Sequence, residues 1–225
     1  MLWPDFSGGG FLQKNQMRFN VMPVGPLAAN CIVVWDPVLK DGMVIDPGGE
    51  PETIMDFIEK EGISVKLIIC THAHFDHVGA VPEIKEKTGA FVAVHKDDLG
   101  LYEGVADQAA LWGYSLEPLP PADRLLEDGD YLEAGQIRFK VIHTPGHSPG
   151  GICLYREGVV ITGDTLFLGS IGRTDFYGGD HALIMKSLAK LAALPPQTVV
   201  LPGHGPSSTI GNELENNPFY QDIDL

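Results

Sequence analysis

Positive charge is scarce in this sequence: 15 lysines and arginines stand against 30 aspartates and glutamates, a formal net charge of -15 at neutral pH. Binding to nucleic acid or to an anionic membrane surface needs a basic face that neutralises phosphates, so neither partner is expected. Cysteine is rare as well. The 3 cysteines, Cys31, Cys70 and Cys153, lie in separate apolar runs with no C-x-x-C pair among them. That argues against a thiolate metal site or dithiol redox chemistry and reads as buried free thiols in a reducing cytoplasm. No apolar run is long enough to span a bilayer. The start, Met1-Leu2-Trp3-Pro4-Asp5, has no positive region ahead of an apolar core, so a signal peptide is not expected. Internal repeats and low-complexity tracts are also lacking.

What is present suits one large globular domain over residues 1–225, with 44% hydrophobic residues to build its core and residues 1–15 as a loosely held extension. Gly 27 and Pro 17 fall between apolar runs and mark many tight turns. Arg18 to Met22, Asn30 to Trp35 and Gly42 to Asp46 read as a meander of strands. A helix then starts at Pro51 and stops at Gly62, and the apolar run from Val65 to Cys70 forms the next strand. A short helix over Pro82 to Lys87 and a strand over Ala90 to Val94 follow. Residues 97–123 are ambiguous; Leu101, Tyr102, Leu111, Trp112 and Tyr114 offer a cleft wall or, equally, local packing beneath a long loop. Further strands are expected over Gln136 to His143, Ile152 to Arg156, Val159 to Thr162 and Gln197 to Leu201, with a helix capped by Asp180 before the last of them. Strands in two sheets with helices outside predict a layered α/β sandwich.

The chemistry concentrates in Thr71-His72-Ala73-His74-Phe75-Asp76-His77, directly after the strand ending at Cys70. A single histidine is usually a surface or hydrogen-bonded core residue. Three imidazoles and a carboxylate in one short loop would repel protons and one another unless a cation held them, so the loop reads as a metal site. Taken alone it suggests one cation. Further ligands are expected where apolar strands run into Gly- and Pro-rich turns at a sheet rim. His147 in Thr144-Pro145-Gly146-His147-Ser148-Pro149-Gly150, Asp164 in Thr162-Gly163-Asp164-Thr165, and His204 in Leu201-Pro202-Gly203-His204-Gly205 all meet that test. His143 is expected to support the ligand turn, and His95 and His181 to be surface or capping residues.

At this point the sequence resembles the metallo-β-lactamase superfamily, whose T-H-x-H-x-D-H loop, later His, bridging Asp and final His are matched in order by Thr71 to His77, His147, Asp164 and His204. The resemblance implies a four-layer αββα sandwich holding two divalent ions, zinc, iron or manganese according to availability. His72, His74 and His147 would hold one, Asp76, His77 and His204 the second, and Asp164 both. Within the superfamily the chain is similar to the glyoxalase II type through Asp46-Pro47-Gly48-Gly49, Gly169 to Phe176, Pro202 to Pro206 and Asn217-Pro218-Phe219. Its length matches the short single-domain members, without the helical glutathione-binding domain of longer ones.

The implied reaction is hydrolysis of a small 2-hydroxyacyl thioester such as S-lactoylglutathione, by attack of a metal-bridging hydroxide that Asp76 and Asp164 orient. Arg173 and Tyr177 are candidates for substrate contact, although Arg173 and Asp175 could instead lock the ligand turn through an ion pair; Lys140 and Tyr220 stand behind them. Asp164 sits where lactamase-type members place Cys or Ser, which ranks β-lactam hydrolysis low. Two alternatives remain. One is a related persulfide dioxygenase binding a single Fe(II) through His72, His147 and Asp164, which shares the Gly172 to Phe176 pattern but carries Ala-His-Asp-Tyr where this chain has Gly203-His204-Gly205-Pro206. The other is a non-catalytic metal-binding module. The oligomeric state is open.

Overall fold

The structure, a computed structural model, describes residues 17–221 and 223, so the expected extension over residues 1–15 lies outside the described residues. The chain opens with β1 (Arg18–Val24), β2 (Ala29–Trp35) and β3 (Asp41–Ile45), an antiparallel meander, because each strand turns back at once through a Gly-, Pro- or Asp-bearing corner. Helix α1 (Pro51–Glu61) begins with proline at its first turn and ends on Gly62 in the left-handed region (φ 67). It carries the chain across to β4 (Ser64–Ile69), which lies parallel to β3. The short α2 (Phe75–Val78) and α3 (Val81–Thr88) lead to β5 (Phe91–His95), and α4 (Leu99–Glu103) and α5 (Val105–Leu111) lead to β6 (Arg124–Leu126); these strands continue the parallel half of the sheet. The order within this sheet is the chain order, β1 to β6.

A second sheet begins with β7 (Tyr131–Ala134), β8 (Ile137–His143), β9 (Ile152–Arg156) and β10 (Val159–Gly163), all antiparallel. A small ribbon, β11 (Leu166–Phe167) and β12 (Ser170–Ile171), precedes α6 (His181–Ala192), whose N-terminus is capped by Asp180 accepting from the Leu183 backbone N–H. After α6 come β13 (Val199–Pro202), parallel to β10, and β14 (Ser208–Thr209), then α7 (Ile210–Asn216) and α8 (Pro218–Gln221). The sheet order is β14-β13-β10-β9-β8-β7.

Three apolar clusters set the layers. One joins α1, α3, α4 and α5 to the outer face of the first sheet, through residues such as Ile54, Ile58, Ile84 and Val105. A second fills the space between the sheets, where Ile32, Val34, Met43 and Ile45 meet Phe139, Val141 and Leu154. The third seats Ile184, Leu188 and Leu191 of α6 with Ile210 and Tyr220 on the outer face of the second sheet. The result is a layered α/β sandwich, as the sequence pattern predicts, in the four-layer αββα form that the resemblance implied. Cys31, Cys70 and Cys153 are buried free thiols, and burial pushes the Cys153 thiol up to about 11.

Several details depart from the sequence reading. The ambiguous stretch holds α4 and α5, and the short strands β6, β7, β11, β12 and β14 carried too few residues for a periodic signal. The last long strand begins at Val199 rather than Gln197, because Thr198 donates its backbone N–H to the Pro195 carbonyl in a turn. His95 belongs to β5 and is buried rather than on the surface, although its ring does cap the next turn by accepting from the Asp97 N–H at 3.3 Å. Its ring stacks on His143 with centroids 4.0 Å apart. His181 is exposed as expected, and Asp180, not His181, provides the cap.

Candidate metal centre

The ligand-bearing loops meet at one end of the sandwich. Strands β8, β10 and β13 run in the same direction, since β8 and β10 are each antiparallel to β9 and β13 is parallel to β10, so their C-terminal ends share an edge. The first sheet is tied to that edge by Asn30, whose side-chain amide donates to the carbonyls of Pro202 and Gly205 at 2.9 Å each, and by the Ile152 N–H donating to the Thr71 carbonyl at 2.8 Å. Four loops from two sheets therefore converge, and loops at strand ends can carry polar side chains without burying unsatisfied backbone.

All seven candidate ligands lie within this cluster. His74 Nδ1 stands 2.8 Å from His147 Nε2, with the His72 ring 4.8 and 4.9 Å from theirs between centroids. His77 Nε2 is 3.2 Å from His204 Nε2, and Asp76 Oδ2 is 3.2 Å from His204 Nε2 and 3.6 Å from His77 Nε2. Asp164 stands between these trios: its carboxylate lies 3.5 Å from His77, 3.5 Å from His147, 3.8 Å from His204 and 4.0 Å from His72. The set divides into His72, His74 and His147 on one side and Asp76, His77 and His204 on the other, each compact enough to hold one ion.

The donor set fits divalent metal. Two imidazole nitrogens 2.8 Å apart, as in His74 and His147, are held in place only by a proton or a cation between their lone pairs. His72 Nε2 and Asp164 Oδ1 are buried and have no hydrogen-bond partner, a costly condition for atoms aimed into a polar cluster and one that coordination would relieve. Burial and the neighbouring histidines push the His74 imidazole down to about 3 and the His72 imidazole lower than usual, so both are neutral donors. At His77 burial acts downward too, but the carboxylates of Asp164, Asp46 and Asp76 prevail and hold it up at about 10. Burial pushes Asp76 upward, yet the His204 hydrogen bond and the His77 charge hold it down at about 2, an anion at any working pH. A cation among these carboxylates would displace the His77 proton.

The orientation of the donors comes from residues behind them. His147 Nδ1 donates to the Arg173 carbonyl at 2.8 Å, which turns Nε2 toward the site. His77 Nδ1 donates to Asp46 Oδ2 at 3.1 Å, and the same carboxylate accepts from the Thr71 N–H at 2.7 Å and the Thr71 hydroxyl at 2.6 Å. Asp46 lies in the left-handed backbone region (φ 52), which aspartate tolerates better than bulkier residues. Replacing Asp46 by Ala frees the His77 ring to turn, and the expected result is metal affinity lowered by about 10- to 100-fold. Competition against a chromophoric chelator measures it, and an unchanged affinity would contradict the role. Two glycines keep the loops close: a Cβ on Gly48 would lie 1.7 Å from the Asp76 carbonyl, and one on Gly203 would lie 2.2 Å from Asp164 Oδ1.

Sequence reasoning missed Asp98. Its buried carboxylate accepts from the Ala73 N–H at 3.0 Å, from the Ser148 hydroxyl at 2.8 Å and from the Gly150 N–H at 2.5 Å. It thus joins the loop carrying His72 and His74 to the turn carrying His147. No Gly- or Pro-rich turn follows β5, so the rule that found the other strand-end residues passes over it. His143 supports the same turn from outside, donating from Nε2 to the Pro149 carbonyl at 2.9 Å.

A cavity of about 400 Å³ opens over the ligands. Arg173 and Tyr177 both line it, while Lys140 and Tyr220 do not. The Arg173 carbonyl orients His147, and its guanidinium forms the expected ion pair with Asp175 at 2.8 and 2.9 Å, while the residue as a whole lines the cavity. Of the apolar candidates in residues 97–123, Leu101, Leu111 and Trp112 reach the cavity. Tyr102 instead is core, its hydroxyl donating to the Pro120 carbonyl at 2.9 Å, and Tyr114 stacks on Phe75.

The family described as the metallo-beta-lactamase superfamily matches residues 24–204. The chain is 37% identical to the hydroxyacylglutathione hydrolase GloC of Haemophilus influenzae, over 90% of this chain and 98% of that protein. Among solved structures, BLEG-1, described as a B3 metallo-beta-lactamase, is 39% identical with a TM-score of 0.85, covering 90% of this chain and 99% of its own. TTHA1623, solved in a di-iron-bound form, is 42% identical with a TM-score of 0.83, covering 89% and 99% respectively.

Proposed function

Because the chain belongs to the metallo-beta-lactamase superfamily, with some relatives named hydroxyacylglutathione hydrolases, we propose that it is a binuclear metal-dependent thioester hydrolase. Its substrates are small 2-hydroxyacyl glutathione thioesters of the S-lactoylglutathione kind. The observation that carries this reading is the pair of three-residue ligand sets with the Asp164 carboxylate between them. His72, His74 and His147 would hold one divalent ion and Asp76, His77 and His204 the other, with Asp164 reaching both; zinc, iron and manganese all suit such donors. When bound, the ions supply Lewis-acid polarisation of a carbonyl and a water acidic enough to attack near neutral pH.

The protein's own part is positional. Asp76 and Asp164 would accept a hydrogen bond from the attacking water and orient its oxygen toward the carbonyl carbon. The Asp46 and Arg173 contacts keep the imidazoles from turning, and Phe176 and Trp112 line the cavity beside them. The new C–O bond takes its oxygen from water, the C–S bond breaks, and carboxylate and thiol are released. A thiolate with a pKa of about 8.5 leaves without a proton donor, whereas an amine generally needs one. No side chain of the assigned set is free to serve as such an acid, which favours thioesters over amides.

The likeness to BLEG-1 favours a second reading, β-lactam hydrolysis, against the argument from Asp164. No helix of the described residues is long and apolar enough to cross a membrane. A cytoplasmic enzyme acting on a small molecule is our reading of its setting.

The test is to strip the purified protein with a chelator, reload it with zinc, iron or manganese in turn, and follow S-lactoylglutathione, a chromogenic cephalosporin and oxygen uptake with glutathione persulfide. Thioester turnover that disappears with the metal and returns with it is expected. Cephalosporin turnover alone would establish the β-lactam reading, oxygen uptake alone the dioxygenase, and metal binding without turnover a non-catalytic module.

A further inference from the structure

The wall of the cavity says which acyl group the site prefers, an inference that rests on the thioesterase reading. Aromatic rings form a continuous path away from the ligands. Phe176 lies edge-on to His74 at 5.9 Å and to His147 at 6.3 Å between centroids, Trp112 is 5.9 Å from Phe176, and Phe75 is 6.1 Å from Trp112. Leu111, at the end of α5, is 88% exposed and Trp112 48% exposed, and both line the cavity. Apolar side chains left open beside a reactive centre mark a surface awaiting an apolar partner.

Charge marks one part of this wall and not the rest. Gln108, the polar residue on the α5 side, is already committed to the ligand loop: Oε1 accepts from the Phe75 N–H at 2.7 Å and Nε2 donates to the Ala73 carbonyl at 3.4 Å. The cation lining the cavity is Arg173, paired with Asp175 and with its guanidinium carbon 4.1 Å from the centre of the Phe176 ring. The glutathione half of a thioester carries two carboxylates and an ammonium, so it suits the Arg173 and Asp175 side. The acyl half, which is uncharged and begins at the reacting carbonyl, is left the Trp112 and Leu111 part of the wall, since Arg173 covers Phe176.

The geometry points to a preference for a bulky, uncharged acyl group, above all one bearing an aromatic ring, seated on Trp112 and Leu111. The exposed part of the Trp112 ring is the surface on which such a ring would pack.

The experiment holds the thiol constant and changes the acyl group. Exchanging the lactoyl methyl for a phenyl, as in S-mandeloylglutathione, is expected to raise kcat/KM about tenfold in the metal-loaded protein. Trp112→Ala is expected to bring the mandeloyl-to-lactoyl ratio close to one. A binding readout runs beside it: S-benzylglutathione, a thioether that cannot be hydrolysed, should bind about tenfold tighter than S-methylglutathione by calorimetry, with the difference lost in Trp112→Ala. A ratio near or below one in the unaltered protein, or no preference for the benzyl thioether, overturns the proposal. The same holds if Leu111 and Trp112 prove to be buried between two copies of the chain in solution. If neither thioester is turned over but the benzyl preference is present and depends on Trp112, the apolar wall stands and the thioesterase reading falls.

Discussion

Asp164→Ala is expected to lower kcat/KM for thioester hydrolysis about a thousandfold, a loss of about 4 kcal/mol of transition-state stabilisation, while leaving the fold intact. The size follows from its place. Its carboxylate lies within 4.0 Å of four ligand histidines, two from each three-residue set, so it is the candidate ligand carboxylate that contacts both sets. Without it the histidines of one set face those of the other with no anion between them. The fold should survive because the three apolar clusters lie away from Asp164 and the substitution only removes atoms. Metal analysis, circular dichroism and turnover of S-lactoylglutathione check the three parts together. Bound metal below that of the unaltered protein is expected with the lost activity, and undiminished turnover would refute the assigned role.

The second large effect is on stability. Asp98→Ala removes one carboxylate and strands three donors, the Ala73 N–H, the Ser148 hydroxyl and the Gly150 N–H, in a region closed to water. Leaving a buried donor unsatisfied costs about 1–3 kcal/mol, and partial relaxation of two loops puts the net loss near 3 kcal/mol. For a chain of this size that corresponds to a fall in Tm of roughly 6–12 °C. Asp98→Asn does not restore the site, because an amide NH2 would face an N–H donor where the carboxylate now accepts on both oxygens. Thermal unfolding of the metal-free protein measures the effect without interference from bound ions. The metal-loaded form should also lose affinity at the set of His72, His74 and His147, since Asp98 joins the two segments that carry them. A Tm within about 2 °C of the unaltered protein would show that the loops hold their shape without it.

The physical difference between Asp164 and Asp98 also explains how far the sequence could be read. Asp164 belongs to a class of residue that announces itself, a carboxylate after an apolar strand and a glycine. Asp98 has the same chemistry but no local signature, since its partners are 25, 50 and 52 residues away along the chain. The same division runs through the fold. Helix α1 and helix α6 were legible from a first-turn proline, a capping Asp180 and one apolar stripe each, all local features. The short strands β6, β11, β12 and β14 were not, because two or three residues carry no period, and they are strands only because a neighbouring strand supplies the hydrogen bonds.

The sequence by itself determined that this protein would carry a histidine- and carboxylate-rich centre on a layered α/β frame. Ligand type and strand-end placement are properties of short segments, and the histidine loop from Thr71 to His77 holds four donors in a single turn of chain. Only the tertiary structure decided how those donors stand toward one another. It set which ring nitrogen faces inward, through Asp46 behind His77 and the Arg173 carbonyl behind His147. It also split residues 97–123 into a buried Tyr102 and an open Leu111 and Trp112. Those choices depend on loops from two sheets meeting at one edge, and distances between chain-remote groups come into being only when both sheets are folded against each other.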